Sequence, residues 1–285
     1  MLLQYRTMGV DLKSDVESSK LSTIHSIMKD RHSSLFSEHD LRGIIWEAMS
    51  VYKNNFSQFF VITLAGFLPV LLVSYLVGTD LRGVTVVSII DLMIITALAG
   101  IYIYSVGYYY VHGRVDLKSA LRASQAVYFK LLGVTLALQI MLALVLIAGT
   151  ILFFLIIPFI VALLYMIYLV LSQPVVVIER HKPLDAFKRS LSLVRGNWWR
   201  VFKSILIFFL SALGIGVLVW LPFFLISLTI TEGSEFRSLL QQIGTYVGAT
   251  IIVPLIYIFL TIVYYDLRYR KEDFSFEQLS DEINR

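Results

Sequence analysis

From Leu131 to Ile178 the chain runs 48 residues without a charged side chain. A helix rising about 1.5 Å per residue crosses a ~30 Å hydrocarbon core in roughly 20 residues. This run is too long for one crossing and long enough for two, with a turn expected near Ile156–Pro158. Shorter apolar segments at about Phe59–Val77, Val84–Tyr110, Val201–Ile230 and Ile243–Tyr264 bring the expected spans to six. The composition agrees. The 285 residues are 58% hydrophobic and only 15% charged, with mean hydropathy +0.77, where soluble domains carry about a quarter charged residues.

The polar remainder is small. Residues 1–39 form the longest polar stretch, read as a cytosolic tail and shorter than the ~50 residues of a small domain. Residues 40–266 then make the membrane domain, and 267–285 a second cytosolic tail. The opening MLLQYRTMGVDLKSDVESSK lacks a basic segment followed by an apolar core, so the first span is expected to serve as its own insertion signal. Without cysteine, disulfides and thiolate metal sites are excluded.

Amphipathic stretches separate the spans. Pro183 suits a first helical turn and Gly196 the position past a last one. Between them Leu184, Phe187, Leu191 and Val194 share one face, and Asp185, Lys188, Arg189, Ser192 and Arg195 the other. This pattern describes a helix lying in the membrane interface, basic side toward headgroups or water. Trp198 and Trp199 follow at the level amphipathic rings prefer. Asp40 is placed to cap a helix over Leu41–Asn54, with Leu41, Ile44, Ile45, Ala48 and Tyr52 on one face, and Asp116 to cap a stretch reaching Lys130.

These stretches resemble one another. Ala120 and Ser124 match Ala186 and Ser190; Val51–Tyr52 match Val127–Tyr128; Asn55–Phe56 match Asn197–Trp198. Each match lies in or just after an interfacial helix and precedes a pair of spans. The expected fold is an all-α membrane protein of six transmembrane helices, as three repeats of cytosolic interfacial helix plus helical hairpin. Lys and Arg set its orientation. Seven precede span one, four follow span two, seven follow span four and four end the chain, leaving only Arg82 and Arg237 in the opposite loops. Basic loops stay inside, so both termini are expected in the cytoplasm, with the chain in the cell membrane of a prokaryote.

The segment PVVVIERHKPLDAFKRSLSLVRGNWWRVF, from Pro174, resembles the signature of the membrane domain attached to some glycerophosphodiester phosphodiesterases and shared by stand-alone multi-pass proteins of unknown function. LRGIIWEAMSVYKNNF, from Leu41, resembles that group's opening motif and YYDLRYRKED, from Tyr264, its closing one. The resemblance covers about Leu41 to Asp273. It implies a fold rather than an activity, because catalysis in the fused proteins belongs to a soluble domain for which this chain has no segment.

Glu179 ends span four, and Arg189 follows ten residues later beyond a short turn at His181–Pro183. The two are expected to approach as a structural ion pair or as a headgroup site, with Lys188, Arg195, Trp198 and Trp199 beside them. Asp91 lies within span two, where a carboxylate marks a proton or cation route. Gln139 in span three is suited to hydrogen bonding between helices. Tyr102, Tyr104 and Tyr108–Tyr110 read as an aromatic belt. His25, His32 and His39 recur every seven residues, about 10.5 Å apart on a helix and too far for one metal. The sequon at Asn55 faces the cytosol. No cofactor or metal motif is present.

The expected function is that of a non-enzymatic integral membrane protein: a lipid-interacting scaffold, an envelope homeostasis factor or a partner subunit. Its partners would be anionic headgroups or another membrane protein, not nucleic acid. One alternative is a transporter-like protein with a midplane cavity near Asp91. A further one, an intramembrane lipid enzyme, lacks any visible acid–base or nucleophile constellation.

Overall fold

The computed structural model describes residues 41–77, 81–151, 160, 162, 164–231 and 233–284. Every regular element among them is helical: α1 (Leu41–Asn54), α2 (Phe56–Val77), α3 (Leu81–His112), α4 (Leu117–Ile151), α5 (Ser172–Ile178), α6 (Pro183–Val194), α7 (Trp198–Ser227), α8 (Glu235–Glu272) and α9 (Phe276–Asn284). Five of them, α2, α3, α4, α7 and α8, are long and apolar enough to cross a membrane. The protein is an all-α, multi-pass membrane protein.

Local chemistry sets several boundaries. Asn55 ends α1 and opens α2. Its Nδ2 donates back to the Val51 carbonyl at 2.9 Å, while its own carbonyl accepts the Phe59 N–H at 3.2 Å. Pro183 stands in the first turn of α6, and Gly196 lies beyond its last at φ +90°, a conformation that costs glycine little. Asp116 caps α4, accepting from the Lys118 N–H at 3.1 Å and the Ser119 hydroxyl at 2.6 Å.

Three expectations are corrected. The stretch after Asp116 is not a separate interfacial helix. It contains no Gly or Pro to interrupt it and continues into span three as the 35-residue α4. The C-terminal stretch over residues 267–285 is not a loose polar tail, because α8 runs on through it to Glu272, and α9 packs back with Leu279 and Ile283 buried. The tyrosines of α3 do not form a lipid-facing belt. Tyr102, Tyr109 and Tyr110 are buried among helices, where Tyr110 donates to Glu47 of α1 at 2.7 Å.

The fourth expected span is present among the described residues only as the shorter apolar stretch Leu164–Ile178, and it is broken. A 3₁₀ turn at Ile167–Leu169 precedes α5. Irregular backbone at membrane depth persists only where protein satisfies its polar groups. Ser190 of α6 does so: its hydroxyl donates to the Tyr168 carbonyl at 2.7 Å and accepts the Leu171 N–H at 3.2 Å. Trp198 Nε1 caps the Leu164 carbonyl at 3.3 Å. The expected turn at Ile156–Pro158, the N-terminal tail and its three histidines lie outside the described residues.

At its C-terminal end α8 is the centre of the bundle. Ile258, Phe259, Ile262, Val263, Tyr264, Tyr265 and Leu267 are buried all round it. In lipid such burial stabilises through close packing rather than exclusion of water. The helix is 38 residues long, about 57 Å against a ~30 Å core. It therefore projects beyond the hydrocarbon, and the projecting end gathers α1, α6, α9, the end of α3 and the starts of α4 and α7. The opposite end holds the α7–α8 connection, with Ser74 bonded to Gln242 at 2.8 Å and Gln241 to Ser227 at 3.1 Å.

The corresponding stripes of the three amphipathic stretches are buried at one spacing: Ile44, Ala48 and Val51; Ala120, Ser124 and Val127; Ala186, Ser190 and Leu193. Both serines reach back to a carbonyl of the preceding segment, Ser124 to Ala97 at 2.9 Å and Ser190 to Tyr168. In α6 this small-residue stripe, not the one through Leu184, faces the protein.

Candidate functional site

Two regions bring polar groups together, one at each end of the bundle. At the projecting end, the last turns of α8 carry Tyr264 and the charges Asp266, Arg268, Arg270, Lys271 and Glu272. Residues four apart share a face, which pairs Asp266 with Arg270 at 3.1 Å and Arg268 with Glu272 at 3.4 Å. Around the helix these faces meet different neighbours. Asp266, buried, holds Arg200 of α7 at 3.1 Å. Arg268 makes a bidentate pair with Glu282 of α9, at 2.7 and 3.0 Å, with its guanidinium 3.7 Å above the centre of the Phe274 ring.

Glu179 lies on the other side of the same cluster. Both its oxygens accept from Arg189 Nε, at 3.0 and 2.9 Å, and the Tyr264 hydroxyl donates to it at 2.8 Å. His181 Nε2 stands 3.6 Å away. The remaining nitrogens of Arg189 pair with Glu272, Nη2 at 2.7 Å and Nη1 closer still. Glu272 first, and Glu179 with it, hold the Arg189 charge above its ordinary affinity for the proton. Lys271 Nζ caps the end of α6 through the carbonyls of Ser192, at 2.7 Å, and Arg195, at 2.5 Å, where a cation complements the helix dipole.

The expected approach of Glu179 and Arg189 is thus present, with Arg189 turned inward and saturated by carboxylates. Lys188 and Arg195, with Lys182 and Lys203, point outward. All four are exposed, and none has an ion pair among the described residues. Trp198 is half-buried and Trp199 is 66% exposed, while Leu184 stands 74% exposed between Lys182 and Lys188. Trp46 of α1 and Phe129 of α4 are exposed at the same end. The arrangement separates the charges that lock helices together, those of Arg189, Arg200, Arg268 and Lys271, from those of Lys182, Lys188, Arg195 and Lys203, which face outward beside exposed apolar side chains.

The second region is a cavity of about 620 Å³ between α2, α3, α7 and α8, with Asp91 in its wall. Ser88, Gln241, Gln242, Thr245 and Tyr246 supply further polar groups, Phe67 and Trp220 apolar faces. A second cavity of about 610 Å³, reaching Gly233 and Arg237, shares Ser74, Ser238, Gln241 and Gln242 with it. Gln139 stands apart, in the wall of a third cavity of about 370 Å³. The polar contact expected of it is made four residues earlier, by Gln173 Nε2 to Thr135 at 3.0 Å.

Glu272, Arg268, Tyr264 and Glu282 escaped the reading of the sequence as site residues. The two acid–base pairs at four-residue spacing in DLRYRKE, Asp266 with Arg270 and Arg268 with Glu272, were the available signal, since they mark a helix laced with ion pairs. Among the described residues no group of three His, Asp or Glu converges to hold a metal. Comparison with family models, curated proteins and solved structures gives no match to this chain.

Proposed function

We propose that the protein is a six-span membrane scaffold whose projecting, basic end lies in the cytoplasm and engages anionic lipid headgroups. One observation carries the reading. Leu184 and Trp199, both largely exposed, stand among Lys182, Lys188, Arg195 and Lys203, all exposed and without carboxylate partners among the described residues. Apolar side chains dip below the headgroups while basic groups meet phosphate, each worth about 1 kcal/mol near an anionic surface. The three matching buried stripes support the repeated plan, and the resemblance over Leu41–Asp273 supports a membrane-domain role without catalysis. The concentration of Lys and Arg at this end supports its cytoplasmic placement.

The test is lipid retention after mild extraction, read by native mass spectrometry. The wild-type chain should keep phosphatidylglycerol or cardiolipin in preference to phosphatidylcholine. Replacing Lys182, Lys188, Arg195 and Lys203 together with Gln should reduce that preference several-fold without unfolding the protein. Equal retention by the two proteins would refute the reading.

A further inference from the structure

Asp91 is placed as few carboxylates in membrane proteins are. It follows Leu81, the first residue of the 32-residue α3, by ten positions, about 15 Å along an apolar membrane-spanning helix. Its side chain is half-buried in the wall of the 620 Å³ cavity, and among the described residues no hydrogen bond or ion pair satisfies it. Among the described residues, no Lys, Arg or His lines that cavity. A carboxylate at membrane depth normally pairs, or marks the path of what it binds.

We infer that the cavity around Asp91 is a binding site for an organic ammonium cation. Charge is the first reason, since the described residues of the wall contribute one acid and no base. Size is the second. The cavity falls within the ~300–1,000 Å³ of small-molecule sites and far exceeds a bare ion. Hard divalent cations require about six or more oxygen ligands, against the single carboxylate here. The third reason is the lining. Phe67 and Tyr246, with ring centres 5.5 Å apart, and Trp220 offer the aromatic faces that attract ammonium groups, with apolar surface for the rest of the ligand. Gln242 Oε1, which accepts from Ser74, and Thr245 Oγ1, which donates to the Gln241 carbonyl, each keep a lone pair for an N–H donor. The outer cavity that shares Ser238, Gln241 and Gln242 leads toward the α7–α8 connection and carries Arg237 at its far end, so the cation is assigned to the Asp91 side. Two sources share this chemistry: an amine entering from water and the amine headgroup of a bilayer lipid.

The site does not depend on the basic end, so it stands or falls separately from the headgroup scaffold. The experiment uses the full chain in nanodiscs of phosphatidylglycerol, whose headgroup has no ammonium. Tetrabutylammonium is titrated in by calorimetry, with empty discs subtracted. Saturable binding is expected, weakened at least tenfold by Asp91→Asn. Should that variant not retain the wild-type melting transition, Thr245→Trp, which fills the cavity from α8, takes its place with the same expected loss. Absence of saturable binding to the wild type, or equal binding by a folded variant, overturns the inference. A parallel series with phosphatidylethanolamine in the discs assigns the source. A several-fold rise in apparent Kd upholds the site with a lipid amine as occupant; an unchanged Kd upholds it with a water-borne one.

Discussion

The pair between Arg268 and Glu282 sets how firmly α9 is held, and its strength follows from the geometry. The two side chains are only 9% and 17% exposed, so solvent screening removes little of their attraction. Two parallel hydrogen bonds join them, and bonds to charged groups contribute ~1.5–3 kcal/mol each in proteins. The guanidinium over Phe274 adds about 0.5–2 kcal/mol. Arg268→Met, which removes both contacts and strands Glu282, should cost about 3–4 kcal/mol. Glu282→Gln, which keeps one acceptor, should cost about 1–2 kcal/mol. The double variant should fall short of their sum by about 1.5–3 kcal/mol, the coupling expected of residues in contact. Arg268→Lys should lose most of this coupling, because an ammonium neither forks onto a carboxylate nor stacks on a ring. Reversible unfolding in dodecylmaltoside with added dodecyl sulfate, followed by tryptophan fluorescence, measures all four. A coupling below about 0.5 kcal/mol, or a Lys variant indistinguishable from wild type, would refute the assignment of α9 docking to this pair.

Glu179→Gln should destabilise by about 1–2 kcal/mol in the same assay, less than Arg268→Met, since Arg189 keeps Glu272. Hydrogen bonds, first from the Ser119 hydroxyl and then from backbone N–H groups, lower the Asp116 pKa below the usual carboxylate value. A depressed acid contributes stability above its unfolded pKa and loses it as pH falls through the folded one. Asp116→Asn should therefore flatten the acid side of a melting-temperature profile, and an unchanged profile would remove the cap from the account. A Cβ at Gly107 would stand 2.5 Å from Ile283 Cδ1 and 2.8 Å from Tyr265 Oη. Gly107→Ala should loosen α9 and speed protease removal of the C-terminus, whereas wild-type resistance would mean the helices part easily. Cysteines at Thr231 and at Ser192 or Ser275 test orientation. Only the first should react with an impermeant maleimide in intact cells, and labelling of Ser192→Cys from outside would invert the topology.

What the sequence reveals depends on the range of the interaction. The limits of α6 were readable because Pro183 and Gly196 act within one turn. Glu179 and Arg189 were also readable, separated by a single turn of chain. Their partners Tyr264 and Glu272 lie 85 and 83 residues from them, and no local rule links the two. The tyrosines of α3 were misassigned for a different reason. A helix in lipid is apolar on all sides, so hydropathy cannot distinguish the face that meets protein from the face that meets acyl chains. The break at Ile167–Leu171 precedes Pro174, which has no N–H for the Val170 carbonyl and suits the first turn of α5. What the sequence did not show is Ser190, which supplies from another helix bonds that the backbone gives up. Asp91 was visible as an anomaly, but its cavity depends on α2, α7 and α8 standing apart, which only the assembled bundle displays.

Pro254 divides α8 between the wall of the Asp91 cavity, which the helix lines as far as Val253, and the ion-paired turns from Tyr264 onward. Proline has no N–H to give the carbonyl four residues back, so the rod lacks one strut at that level. Beyond it, four neighbours anchor the helix: α5 through Glu179, α6 through Arg189, α7 through Arg200 and α9 through Glu282. Before it, the helix borders the cavity and is tied to its neighbours by uncharged hydrogen bonds, Gln242 with Ser74 of α2 and Gln241 with Ser227 of α7. The molecule is built like a post set in concrete with a notch partway up: the foot is fixed by charge, and the part above the notch, which walls the cavity, is held by those lighter ties.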